Sequence, residues 1–246
     1  MRLFALALAA TLLAGFATPG ASADDWKDRL KDQLRGSRSG SSLGETEAAN
    51  GIREAMAQGV HRAITRLGRK DGFWGDEAMR IRLPGQLGDA AKLARQLGRG
   101  DKVDAFELSM NRAAEKAIPV AADVFADAVR QMTVRDAIAI VRGEPDAATN
   151  FFRRATEERL REKFLPIVAR ATGEAGVTRR YKSMMGGNAQ VAQLLGGRGQ
   201  SLDLDRYVTD RALDGLYRAV ADEEREIREN PSARGTDLLR KVFGSR

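Results

Sequence analysis

The stretch from Val103 to Met132 constrains the fold more than any other part of the sequence. Its apolar residues recur every three to four positions, which is the spacing of the buried face of an α-helix. Pro119 divides the stretch, so the pattern predicts two collinear helical runs that meet at this proline. They share one apolar seam, formed by Phe106, Met110, Ala113, Ala117, Ala121, Val124 and Ala128.

Two polar side chains lie beside this seam rather than opposite it. On a helical wheel Glu107 and Asn111 fall in one row with large apolar residues, whereas the solvated side of a helix ordinarily carries such polar groups. We therefore expect both side chains to lie at or below the protein surface. The apolar members of the row are Ile118, Phe125 and Val129.

The same helix carries further charged groups at spacings of three and four residues. Together these residues form a predicted polar cluster on the central helix: Asp104, Glu107, Asn111, Arg112 and Glu115. Such a cluster can be a buried ion and hydrogen-bond network that sets helix register. It can also bind a ligand or a hard cation through oxygen, or supply a general acid. The sequence favours the network and leaves binding and catalysis open.

The N-terminus has the three regions of a cleavable secretory signal. Arg2 precedes an apolar run from Leu3 to Phe16, and a small-residue triplet ends at Ala23. A membrane anchor needs roughly 20 apolar residues, and this run is shorter. We expect residues 1–23 to be a signal peptide cleaved near Ala23, which implies a periplasmic protein.

The rest of the chain predicts an all-α fold. The glycine- and serine-rich composition of residues 36–44 is typical of a linker, so we expect a flexible segment over 24–44 and a single helical domain over 45–246. Helical spacing recurs throughout that domain and predicts an irregular bundle of about six to nine helices. One short irregular loop is expected near residues 71–86, with Phe73 and Trp74 at its rim.

The charge pattern of the chain limits which binding partners we expect. The chain has 41 Lys and Arg against 34 Asp and Glu, a net charge of +7, and most of the cations have acidic neighbours. That pattern is typical of solvated helix faces. Arg179, Arg180 and Lys182 form an exception and predict contact with an anionic membrane surface. Nucleic acid is not an expected partner of an exported protein.

The common catalytic and metal-binding motifs are absent from the sequence. The chain has no cysteine and a single histidine, so a zinc site or a di-iron helical bundle is not expected. No nucleophile elbow, phosphate-binding loop or calcium-binding loop occurs. We therefore predict no cofactor, no metal and no specific catalytic residue.

Seven sequence blocks occur in one order over most of the chain. They resemble the bacterial family known as domain of unknown function 4197, over about residues 51–244. The resemblance implies an exported, mostly helical envelope protein of Gram-negative bacteria and brings no activity or site residues with it. The blocks are DGFW from Asp71, RIRLPG from Arg80, SMNRAAE from Ser109, ATNFFR from Ala148, FLPIV from Phe164, YVTDRALDGL from Tyr207 and TDLLRKVFG from Thr236.

These observations predict a periplasmic helical module that binds or interacts through the polar cluster and the nearby loop. Its partner would be an envelope protein or a ligand, and the sequence does not indicate an oligomeric state. The alternative is a carboxylate-dependent hydrolase or a metal-binding enzyme of the cell envelope. The sequence favours a binding protein over an enzyme.

Overall fold

The computed structural model describes residues 25–174, 176 and 203–230, and these residues form α-helices, one short 3-10 helix and connecting turns. The described part contains no β-strand, so the predicted all-α fold is confirmed. None of the described helices has both the length and the apolar character needed to cross a bilayer. The α-helices are α1 (Asp25–Gly68), α2 (Gly85–Gln96), α3 (Gly100–Ala117), α4 (Ala121–Gln131), α5 (Val134–Arg142), α6 (Ala147–Glu174) and α7 (Leu204–Glu229).

The N-terminal segment differs from its prediction in one respect. Residues 36–44, interpreted as a linker, lie inside α1. Glycine and serine lower helix propensity by at most about 1 kcal/mol per residue, so this composition disfavours a helix without excluding one. The contacts of the chain divide it into Met1–Gly44 and Glu45–Arg246. The domain boundary near residue 45 stays a prediction.

The central stretch folds as its periodicity predicts. Helices α3 and α4 are joined by a single 3-10 turn, Ile118–Val120, which contains Pro119. A proline lacks the N–H that an α-helix interior requires, and the turn accommodates it there. All seven residues of the predicted apolar seam are buried in the core.

Aromatic rings join α4, α6 and α7 in this core. The ring of Phe125 meets Phe152 edge-on at a centroid distance of 5.1 Å and Tyr217 at 6.2 Å. Such edge-to-face pairs stabilise a core beyond the area that they bury. The phenol oxygen of Tyr217 lies 2.8 Å from Thr156 Oγ1, so the one polar atom of this cluster has a partner.

A buried carboxylate on α7 caps the first turn of α6. Glu224 accepts hydrogen bonds from the backbone N–H groups of Ala148 at 3.0 Å and Thr149 at 2.9 Å. The guanidinium of Arg228 binds the same carboxylate at 2.8 Å and donates to the carbonyl of Ile140 at the end of α5. The first N–H groups of a helix lack partners within it, so Glu224 fixes where α6 begins.

The irregular loop predicted near residues 71–86 occupies residues 69–84, between α1 and α2. Its deepest side chain is Phe73, which is fully buried. The ring reaches α7 at Gly215, where an added Cβ would lie only 2.7 Å from Phe73 Cε1. A residue without a side chain at this point of α7 is what lets the loop sit against the helix.

We predict that Gly215→Ala destabilises the protein relative to a matched glycine substitution, Gly173→Ala in α6, where an added Cβ meets nothing within 4 Å. Overpacking of this kind costs about 1–3 kcal/mol, whereas alanine in an open helical position is favoured by about 1 kcal/mol. Urea unfolding of the two variants measures the difference. Equal stabilities would show that Phe73 does not need the space at Gly215.

The buried phenol of Tyr217 predicts a distinct alkaline titration. Burial raises the pKa of Tyr217 to about 12, against an ordinary value of 10.0. The folded protein thus holds this proton more tightly than the unfolded chain, so the associated stability is present below pH 10 and is lost as the pH rises toward 12. Absorbance titration of the tyrosines should show a step near pH 12 that Tyr217→Phe removes. A Tyr217 step near pH 10 in the folded protein would contradict this.

Candidate functional site

Three polar side chains of α3 face the loop from below, one on each successive turn of the helix. Glu107, Asn111 and Glu115 are four residues apart, a spacing that stacks side chains on one side of a helix. Asn111 is fully buried, and the two glutamates are each 4% exposed. We call these three residues the polar ladder. Glu115 is the member nearest the C-terminal end of α3.

Glu115 binds the start of the loop. Its Oε1 accepts hydrogen bonds from the backbone N–H groups of Phe73 at 3.0 Å and Trp74 at 3.2 Å. Its Oε2 accepts from Arg112 Nη1 at 2.6 Å, and Arg112 Nη2 also donates to Asp71 Oδ1 at 2.6 Å. Asp71 has a φ of 66°, a left-handed conformation that non-glycine residues seldom adopt. The Arg112 bridge ties this turn to α3.

Asn111 binds the middle of the loop as another peptide group would. Its Oδ1 accepts from Ile81 N at 2.8 Å, and its Nδ2 donates to Ile81 O at 2.9 Å. The second hydrogen of Nδ2 goes to the carbonyl of Glu107 at 2.8 Å. An amide supplies both a donor and an acceptor, so one side chain pairs both backbone groups of Ile81.

Glu107 binds the end of the loop. Its Oε1 accepts from Leu83 N at 3.4 Å, and its Oε2 accepts from Arg95 Nη2 at 3.1 Å. Arg95 also binds Asp104 at 2.8 Å. Partial burial opposes the charge of Arg95, but its bonds to Asp104 and the negative charge of Glu107 outweigh that effect and raise the pKa of the guanidinium. Arg95 thus remains the cation that neutralises this end of the ladder.

The ladder is occupied by the protein's own groups. Both carboxylates and the amide form their hydrogen bonds with the backbone of the loop, with Arg95 and Arg112, and, for one hydrogen of Asn111, with the α3 carbonyl of Glu107. Among the described residues, no group of three or more histidine, cysteine or acidic side chains is arranged to hold a metal ion. The arrangement supplies hydrogen-bond acceptors to buried backbone N–H groups that the loop cannot pair within itself.

Above the ladder, the outer side of the loop lies next to α7. Arg80 stacks over the Trp74 ring at 4.5 Å and donates to the Trp74 carbonyl at 2.8 Å. Tyr207 of α7 donates to the carbonyl of Arg82 at 2.8 Å. The loop–α7 face, as we call this surface, consists of Trp74, Ala78, Arg80, Arg82, Tyr207, Arg211 and Arg218.

Two arginines of α7 extend this face along the helix. Arg218 Nη1 donates to the carbonyl of Ala78 at 3.2 Å, and the Arg211 guanidinium lies 5.7 Å from the centre of the Tyr207 ring. The side chains of Arg82 and Arg211 are about half exposed, at 54% and 51%. The face therefore offers aromatic rings and guanidinium groups to solvent, and the ladder holds the backbone of its loop part.

The predicted site residues divide into three groups. Glu107, Asn111 and Glu115 are brought together under the loop, with Arg112 bound to Glu115, whereas Asp104 lies exposed and joins them only through Arg95. Of the two predicted rim residues, Trp74 is half-buried at the surface and Phe73 is instead fully buried. Arg179, Arg180 and Lys182 lie outside the described residues, so their contact with an anionic membrane stays a prediction.

Sequence reasoning missed the cations and aromatic residues that complete the site. Arg95 sits on α2, and Arg211 and Arg218 sit on α7; each looks like an ordinary residue of a solvated helix face. Only their closeness to the loop in the folded chain distinguishes them from other arginines. Tyr207 begins the family block YVTDRALDGL, but nothing in the local pattern shows that its hydroxyl reaches the carbonyl of Arg82.

The fold and the site define a class: an all-α protein whose irregular interhelical loop is bound from below by a polar ladder. Within that class, the chain belongs to the family described as protein of unknown function (DUF4197), whose model matches residues 42–244. The family resemblance predicted from the sequence blocks is thereby confirmed. Neither the curated proteins nor the solved structures provide a match to this chain.

The ladder predicts a local effect for Asn111→Ala. Loss of the amide leaves the buried N–H and C=O of Ile81 unpaired, at a cost on the order of 2–3 kcal/mol. Asp104→Ala, on the exposed side of the same helix, should change the free energy of unfolding by about 0.5 kcal/mol or less. Amide hydrogen exchange should show faster exchange at Ile81 in Asn111→Ala only. Unchanged exchange at Ile81 would contradict the ladder's role.

Proposed function

We propose that this protein is an exported helical interaction module and that it binds its partner through the loop–α7 face. One observation carries the proposal. The buried polar groups of α3 bind the loop backbone at Phe73, Trp74, Ile81 and Leu83, so the outer side chains of the loop stand on a fixed support. A binding surface that is ordered beforehand loses less entropy when a partner arrives.

The composition of the face supports the same proposal. Trp, Tyr and Arg are the residue types enriched among those that dominate the energy of protein interfaces. Here Trp74 pairs with Arg80 and Tyr207 pairs with Arg211, in both cases by stacking of a cation over a ring. The stacking limits the motion of the long arginine side chains, which would otherwise lose rotamer freedom on binding.

The enzyme alternative has less support. A hydrolase or metal enzyme that used the α3 carboxylates would need them accessible to substrate or to an ion. Glu107 and Glu115 lie instead beneath the loop, where backbone N–H groups and arginines already bind them. The secretory signal predicted for residues 1–23 supports the periplasm as the place where the interaction occurs.

Site-specific photocrosslinking tests the proposed surface. Ala78 is an exposed residue of the loop–α7 face, and Ala139 is an exposed residue of α5, near the far end of α7. A photoreactive phenylalanine analogue at each position replaces an alanine and leaves every arginine in place. After irradiation of cells and isolation of the periplasmic fraction, we expect a discrete crosslinked product from position 78 and none from position 139.

Two results would count against this proposal. Identical products from positions 78 and 139 would show collision without a specific surface. No product from position 78, in a protein that is exported and folded, would show that the loop–α7 face is not where a partner binds.

A further inference from the structure

Two arginines of the loop–α7 face hold one exposed carboxylate between them. Glu77 contacts Arg80 Nη1 at 3.6 Å and forms a close ion pair with Arg82 Nη2. The Glu77 side chain is 74% exposed, whereas Arg80 is 25% exposed. The guanidinium groups therefore already lie where a single carboxylate can contact both of them.

The Arg80 side chain and the Arg82 backbone are anchored, and the carboxylate is not. Arg80 is held by the carbonyl and the ring of Trp74, and the Arg82 backbone is held by Tyr207. The contacts of Glu77 are exposed ion pairs, which contribute only about 0–1 kcal/mol each. A competing carboxylate can thus displace Glu77 while the Arg80 side chain and the Arg82 backbone stay in position.

We propose that Glu77 holds the place of a partner's carboxylate and that the loop–α7 face binds an acidic segment of another protein. This inference rests on the function proposed above and names the chemistry of the partner. Guanidinium groups bind carboxylates through paired, charge-assisted hydrogen bonds, which makes an arginine pair a suitable site for such a segment.

Further cations continue the site beyond Glu77. Arg211 and Arg218 are two helical turns apart on α7, which spaces them by about 10 Å along the helix axis. Arg218 binds the loop through Ala78, so this cation lies next to the first pair. Two acidic residues lie nearby. Asp214 forms an ion pair with Arg211 at 3.5 Å, and Asp76 Oδ1 accepts a hydrogen bond from the N–H of Ala78 at 2.9 Å. A segment with several acidic residues would meet these cations in succession.

A protein segment suits the face better than a membrane does. Peripheral membrane binding combines cations with apolar side chains that enter the lipid. In the described part of the chain, the exposed large apolar residues are Leu93 of α2 and Leu97, which follows α2, and neither is a member of the loop–α7 face. The occupant already seen between Arg80 and Arg82 is also a carboxylate.

The test compares two substitutions that change the net charge equally. Glu77→Gln removes the internal competitor, and Glu158→Gln removes a similarly exposed carboxylate on α6 that also pairs with an arginine, Arg161. Binding of a fluorescent octaglutamate peptide to the purified protein is followed by anisotropy. Because an exposed ion pair is worth up to about 1 kcal/mol, Glu77→Gln should tighten binding about two- to five-fold, and Glu158→Gln should not.

Arg82→Gln should weaken peptide binding about tenfold while the thermal unfolding midpoint stays unchanged, since the ion pair of its side chain among the described groups is the exposed one with Glu77. Equal effects of Glu77→Gln and Glu158→Gln would overturn the proposal, because net charge alone would then explain binding. Binding to phosphatidylglycerol vesicles without peptide binding would also overturn it, in favour of a membrane. If the peptide fails but position 78 still crosslinks, only this inference fails; if both fail, the proposed function fails as well.

Discussion

Burying an unpaired backbone N–H or C=O group costs free energy, and the loop between α1 and α2 depends on avoiding this cost. Its residues Phe73, Trp74, Ile81 and Leu83 have N–H groups that neither a helix nor a strand of their own satisfies. Glu107, Asn111 and Glu115 supply the acceptors. Without them the loop could not be packed over α3, Phe73 could not reach α7, and Trp74 and Arg80 would have no fixed position. The site therefore depends on a set of side-chain-to-backbone hydrogen bonds.

The same device appears a second time in this chain. Glu224 of α7 accepts the first N–H groups of α6, as Glu115 of α3 accepts those of the loop. In both cases an arginine neutralises the carboxylate, Arg228 in one and Arg112 in the other. A buried carboxylate that is paired and fully hydrogen-bonded can be retained where an isolated one would be too costly. A structural role thus explains the buried glutamates described here better than a catalytic role does.

Much of the fold could be predicted from short-range patterns. The seam around Pro119 depends on residues three and four positions apart, and helix α5 begins at a capping box formed by Thr133 and Asp136. Asp203 likewise caps α7 through the N–H of Arg206. These features depend on groups within one turn of each other. Where the controlling group is distant, the local pattern does not show it: α6 begins at Ala147 under the cap from Glu224, 76 residues from Ala148.

The candidate site shows the same division. That Glu107 and Asn111 would lie on the packed side of α3 followed from the amino-acid sequence by itself, because the helical period places them beside the apolar seam. What they bind was decided by the tertiary structure: Phe73 lies 42 residues from Glu115, and Tyr207 lies 125 residues from Arg82. Periodicity reports which side of a helix is buried, since that depends on neighbours along the chain. It carries no information about which distant backbone arrives there, since that depends on how all the helices pack together.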